Sequence, residues 1–113
     1  MEAVHKAGYV FCDLKLDNLM TGYKQTVYKE KGDKSILRDC SLHLVDFGYS
    51  TKYLDSKKNH IAKKKIDTFR GNIIFGSYDQ CDFYATSRKD DLISLCYILI
   101  YLLHGGKLLE IDL

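Results

Sequence analysis

The twelve residues from Leu92 to Leu103, LISLCYILIYLL, constrain this chain more than any other stretch: eleven are apolar if Cys and Tyr are counted, and only Ser94 is not. As an α-helix the run spans about 18 Å, well short of the ~30 Å hydrocarbon core of a bilayer. A helix that is apolar on every side belongs inside a soluble fold, so the run predicts a central helix buried all round. Its ends are marked. Thr86 or Ser87 can cap the start, and Asp90 and Asp91 fall in the first turn, where the helix dipole favours acids. Gly105-Gly106 can supply the left-handed backbone that ends it. Cys96, inside the run, reads as a free buried thiol.

The rest of the composition narrows the class. With 113 residues the chain is one domain at most. Apolar types make up 46% and charged types 28%, and the net charge is +2. That balance is globular; it argues against a disordered chain and against the basic footprint of a nucleic-acid binder. Proline is absent, which excludes proline-rich linkers and ligands. Nine tyrosines and five phenylalanines supply core bulk in place of tryptophan. The cysteines at 12, 40, 81 and 96 form no CxxC pair, and no histidine lies at zinc-ligand spacing beside them. The expectation is a reducing, intracellular setting, cytoplasm or nucleus. The first ten residues, MEAVHKAGYV, carry no apolar segment of signal length, so secretion is not indicated, and no membrane partner is expected.

Along the chain, Met1–Lys6 reads as the last turns of a helix ended by Gly8, followed by a short strand at Tyr9–Phe11 and a loop through Asn18. Leu19–Met20 is expected to pair with Leu42–Val45, where SLHLV alternates like a half-buried strand. Thr21–Ser41 reads as a long exposed hairpin connection, and Tyr49–Leu54 as a candidate further strand. From Lys52 to Arg70 there are seven basic and two acidic residues, a local excess of five positive charges. Such a stretch is either a solvated loop or a surface that attracts acidic peptides.

Two short signatures carry chemistry. Asp13-Leu14-Lys15-Leu16-Asp17-Asn18 is a D-x-K-x-x-N pattern in a loop after a strand, and Asp46-Phe47-Gly48 directly follows the alternating strand. Phosphoryl transfer needs these residue types. One carboxylate accepts or orients the proton of the attacking hydroxyl, and a lysine neutralises charge growing on the phosphoryl group. A carboxylate and an amide oxygen hold Mg²⁺, which prefers hard oxygen ligands. Asp13, Lys15, Asp46 and Asn18 fill those roles in that order, and Gly48 lets the backbone turn sharply behind Asp46. Either signature alone is a weak indication; both together, in this order and each after a strand, are far more specific. The structural alternatives are a side-chain-capped turn for Asp13 and Asn18 and a strand-terminal acid for Asp46.

On these residues the chain resembles the lower lobe of a eukaryotic protein kinase. It is most similar to the casein kinase I group, with the vaccinia-related kinases as near relatives. VFCDLKLDN resembles that group's catalytic loop, and LHLVDFGYSTKYLD its magnesium strand and the segment after it. His60-Ile61 resembles a His-Ile pair in its activation segment. GNIIFGS, Gly71 to Ser77, stands where the group has Gly-Thr-Ala-Arg-Tyr-Ala-Ser, and SRKDDLISLCYILIYLLHGG resembles its Ser-Arg-Arg-Asp-Asp-Leu start and long buried helix. The likeness runs almost end to end and is loosest in Thr21–Ser41. It implies an α+β fold, mainly α, over residues 1–113: a partial kinase C-lobe with short β-hairpin strands. It also implies Ser/Thr protein kinase activity with ATP and Mg²⁺ as cofactors. The partner would be a protein substrate, an acidic one if the basic stretch attracts it, and the oligomeric state is left open. By the same resemblance Asp91 hydrogen-bonds backbone amides of the catalytic loop.

The departures are also informative. Phe11-Cys12 stands where the family has His-Arg. An aromatic can do the packing work of the histidine, but Cys12 cannot bind a phosphorylated loop as the arginine does, so activation is not expected to need a phosphate within Tyr49–Arg70. Asn72 replaces a threonine that contacts the catalytic Asp and Lys, and its amide can still bond there. Ile74 replaces an arginine used for primed or acidic substrates, a loss that Lys63–Lys65 can offset. Leu16 replaces a proline away from the chemistry. Neither a Gly-rich loop nor a phosphate-binding Lys with its Glu partner is found. The expectation is therefore a fragment, a truncated gene model or a degenerate paralogue, inactive by itself. The rival reading is a non-catalytic pseudokinase remnant or partner-binding module.

Overall fold

The computed structural model describes residues 1–21 and 41–107. The elements run α1 (Glu2–Lys6), β1 (Tyr9–Val10), a single 3-10 turn (Leu16–Asn18), β2 (Leu19–Thr21), β3 (Leu42–Leu44), β4 (Thr51–Lys52), α2 (Tyr78–Cys81) and α3 (Arg88–Leu103). This is an α+β fold with few helices and short strands.

Gly8 follows α1 at φ +92°, a conformation glycine adopts without a Cβ penalty. The chain thereby reverses into β1, which pairs antiparallel with β4 through Tyr9–Lys52 and Val10–Thr51. The strand expected over Tyr9–Phe11 thus stops at Val10, because β4 offers only two residues. β2 and β3 pair antiparallel as Leu19–Leu44, Met20–His43 and Thr21–Leu42. Apart from its two end residues, the connection expected over Thr21–Ser41 lies outside the described residues.

The main apolar cluster is Phe11, Leu14, Phe75 and Ile98, with Met1, Leu16, Leu19, Leu44, Leu95 and Tyr101 packed against it. A second cluster joins Val10, Cys12 and Tyr53, with Leu54 at its edge. Both clusters include residues of the loop between β1 and the 3-10 turn, so the core is built around that loop.

The expectation of a helix buried on all sides is corrected. In α3 the buried residues are Asp90, Asp91, Ser94 and Ile98, a single stripe at spacings of three and four that faces the loop. Leu92, Leu99, Ile100, Leu102 and Leu103 are exposed, Leu103 by 82%, because nothing among the described residues covers that side. The thiol of Cys96 is exposed for the same reason. The radius of gyration, 16.7 Å, exceeds the ~13 Å of a closed domain of this length, and the shortest dimension is 18 Å. Between Thr86 and Ser87 the structure selects Ser87 as the N-cap: Asp90 Oδ2 accepts from Ser87 N at 2.7 Å. Gly105 and Gly106, at φ +66° and +87°, end the helix.

Candidate active site

Asp13 sits in the middle of the loop between β1 and the 3-10 turn, with only 2% of its surface exposed. Asn18, buried at the end of the 3-10 turn, donates its amide Nδ2 to Asp13 O at 2.8 Å and to Asp13 Oδ2 at 3.1 Å. Lys15 Nζ lies 3.8 Å from the same Oδ2. The other carboxylate oxygen, Oδ1, is buried without a hydrogen-bond partner. An unmet buried acceptor costs about 1–3 kcal/mol, so this oxygen is an uncompensated acceptor within the loop.

Asn18 O accepts from Val45 N at 3.0 Å, which continues the β2–β3 ladder by one rung and brings Asp46 to the residue just beyond. Asp46 is exposed, at φ +64°, and its Oδ1 accepts from Gly48 N at 3.1 Å. A Cβ on Gly48 would lie 3.0 Å from that oxygen, so the residue two places on must be small for the carboxylate to keep its position. The Asn18 NH₂ is committed to Asp13, which leaves its amide oxygen as the atom able to face a cation. No three His, Cys, Asp or Glu side chains converge among the described residues. A magnesium ion in phosphoryl transfer needs only one or two protein oxygens beside the phosphates, and the Asp46 carboxylate with the Asn18 amide oxygen fits that chemistry.

The loop is held from behind. Asp91, 1% exposed, accepts from Phe11 N at 2.8 Å and Cys12 N at 2.9 Å, and His5 Nε2 lies 2.8 Å from its Oδ2. Cys12 is left-handed at φ +72°, a conformation that costs a non-glycine residue about 1–3 kcal/mol and persists where surrounding contacts over-determine it. Burial pushes the Cys12 thiol up to about 11. Phe11 meets Phe47 edge-on at 5.3 Å, so the aromatic at position 11 packs against the Asp-Phe-Gly segment. Asn72 does not reach the side chains of Asp13 or Lys15. Its Nδ2 donates to Leu14 O at 3.4 Å, and its Oδ1 accepts from Ile74 N and Phe75 N.

Several residues of this support were not singled out in the sequence. Ser77 caps α2 and exchanges bonds with Gln80 in a capping box; the spacing Ser-x-x-Gln is a recognisable signature. Ser77 Oγ donates to Asp90 Oδ1 at 2.6 Å. Burial raises the Asp90 carboxyl, but hydrogen bonds from Ser77, Ser87 and Lys89 outweigh it and hold the group below its ordinary value. Lys89 and Lys63 both bond Asp79, at 2.7 and 3.1 Å, and hold its carboxyl low. Burial opposes the charge on Lys89, yet its bonds to Asp79 and Asp90 keep it raised. No local pattern points to His5 as a partner of Asp91, since they are 86 residues apart.

Cavities of about 250, 490 and 510 Å³ lie elsewhere: beside Lys63 and Lys89, beside Val4 and Phe47, and beside His5 and Arg88. None of these three takes in Asp13, Lys15, Asn18 or Asp46. No helix among the described residues is long and apolar enough to cross a membrane.

Comparison with known proteins sets the class first. Over 107 residues, 93% of this chain, the sequence is 32% identical to Casein kinase 1-like protein HD16 of Oryza sativa subsp. japonica. That likeness supports a place in the protein kinase family; more narrowly, the chain is casein kinase I-like. It spans 14% of the length of that relative. No protein-family model matches the chain.

Proposed function

We propose that residues 1–113 supply the catalytic-loop part, within the C-lobe, of a Ser/Thr protein kinase of casein kinase I type. The reaction is transfer of the ATP γ-phosphoryl group to a protein hydroxyl. The observation that carries the reading is the buried Asp13 carboxylate, with one oxygen held by Asn18 beside Lys15 and the other unpartnered. Asp13 is the base that takes or orients the hydroxyl proton. Lys15 neutralises charge developing on the transferred group. Asn18 and Asp46 would hold Mg²⁺, which when bound shields the phosphate charges. Gly48 keeps Asp46 in place, and Asn72 and Asp91 support the loop. The basic side chains between Lys52 and Arg70 are exposed, which suits an acidic protein substrate.

The rival, a non-catalytic partner-binding module, draws on the three cavities lying away from Asp13. Phosphoryl transfer by the full-length native protein separates the two. Asp13→Ala is expected to lower kcat by about 10²–10⁴-fold with little change in the KM for ATP, and Asp46→Asn to abolish Mg²⁺-dependent turnover. Near-wild-type kcat in either variant would sink the kinase assignment. A wild-type protein that binds a partner but transfers no phosphate would favour the rival.

A further inference from the structure

One buried side chain touches the catalytic loop from a helix that the chemistry above does not use. Gln80, 2% exposed in α2, donates Nε2 to Cys12 O at 3.0 Å and to Thr86 Oγ1 at 3.2 Å, with Arg70 O further off at 3.4 Å. Its Oε1 accepts from Ser77 N at 3.1 Å. The amide is therefore oriented: a donor end on the loop and an acceptor end on the cap of its own helix.

Cys12 C=O belongs to the same peptide plane as Asp13 N–H. The preceding plane, between Phe11 and Cys12, is held at its N–H by Asp91 Oδ1. The two planes that flank left-handed Cys12 are thus gripped by two helices, one at its donor and the other at its acceptor. Close approach is part of the design. Gly71 sits at φ +135°, and a Cβ there would lie 2.8 Å from Cys12 O and 3.0 Å from Gln80 Nε2.

We propose that Gln80 is a positioning residue for Asp13: by holding Cys12 C=O it fixes the Cys12–Asp13 peptide plane and so the direction in which the Asp13 carboxylate points. The role rests on Asp13 being the base of the proposed reaction. Gln80 does this with a neutral amide, so the tether needs no phosphate group. A displacement of about 1 Å at a reacting group can cost 10²-fold.

The test uses Gln80→Glu in the full-length native protein. The carboxylate keeps the length of the side chain but sets an acceptor against Cys12 O. Once protonated it can donate again, and a carboxyl buried beside Asp90 and Asp91 protonates more readily than a free one. Asp90, Asp91, Cys12 and Arg70 surround the loop, so each rate is read as the ratio of variant to wild type at the same pH. The expected result is a kcat about 10- to 100-fold below wild type at pH 8, with the KM for ATP unchanged and the ratio recovering as pH falls toward 5.5. A ratio within twofold of unity at pH 8, or one that stays low at every pH in a folded variant, overturns the proposal. If Gln80→Glu does not fold, Gln80→Met decides instead: the same kcat loss supports the role and wild-type kcat overturns it. If the wild-type protein transfers no phosphate, the kinase reading fails separately. Hydrogen exchange of the amides at residues 11–14 then decides: faster exchange in Gln80→Glu, slowed again at low pH relative to wild type, supports the tether, and unchanged exchange removes it.

Discussion

The two ends of α3 obey opposite rules. Its first two turns bury Asp90, Asp91 and Ser94, all polar, while its last turns leave Leu99, Ile100, Leu102 and Leu103 in contact with solvent. A buried carboxylate and an exposed patch of large apolar side chains are both departures from the usual distribution. At the first end each carboxylate collects several donors, so burial follows bonding: Asp91 ties down the loop, and Asp90 ties α2 to α3. At the second end nothing among the described residues covers the helix, and each large side chain left uncovered forfeits about 1.5–3 kcal/mol of burial. The helix thus uses its polar end to hold the loop of the candidate site, while its apolar end is left uncovered by the described residues.

The sharpest way to break this contrast is at Asp91. Asp91→Ala strands the buried amides of Phe11 and Cys12 and frees His5, and removing one member of such a buried charged set costs about 3–5 kcal/mol. Urea unfolding of the full-length protein should show that loss, with kcat falling because the loop is released. A change below ~1 kcal/mol, the scale of an ordinary surface substitution, would show that Asp91 acts only as a helix-dipole partner.

A smaller effect compares neighbouring positions on the same helix. Ile98 is 1% exposed and Leu99 is 50% exposed. Ile98→Ala should cost about 2–5 kcal/mol, whereas Leu99→Ala should stay within about 0.5 kcal/mol. Equal losses at the two sites would mean that Leu99 is covered in the native protein, and would place a contact on that face.

The mildest probe alters no residue. Cys81 and Cys96 are exposed, and Cys12 is buried with its thiol raised to about 11. The thiolate is the reactive form, so iodoacetamide at neutral pH should label Cys81 and Cys96 and leave Cys12 untouched until the protein unfolds. Peptide mapping reads this directly. Early labelling of Cys12 would show that the loop opens in the native state.

The grouping of the candidate site's loop residues was legible because they are close in sequence. Asp13, Lys15 and Asn18 lie within six positions, and one loop with a 3-10 turn suffices to bring them together. The pairing of Leu19–Met20 with the strand at Leu42 was legible in the sequence, but the half-buried alternation expected there is not seen: Leu42 and His43 are both exposed and Leu44 is half-buried. The signature Ser-Arg-Lys-Asp-Asp before an apolar run marked the start of α3, because capping is local. The likeness to the casein kinase I group rested on the same short segments and is matched by the relative from rice.

What only the tertiary structure decided has a common physical cause: it depends on partners far away in the chain. Hydropathy alone placed Leu92–Leu103 inside a core on every side, but burial requires neighbours, and the described residues cover one stripe only. For the same reason Cys96 turned outward. Nothing near Gln80 in the sequence announces Cys12, 68 positions earlier, and nothing near His5 announces Asp91. By itself the sequence determined which candidate residues share one loop and where the helix began. The packing of α2 and α3 against one left-handed residue decided how the two peptide planes before Asp13 are held, because the orientation of a peptide plane is set by whatever grips its N–H and C=O.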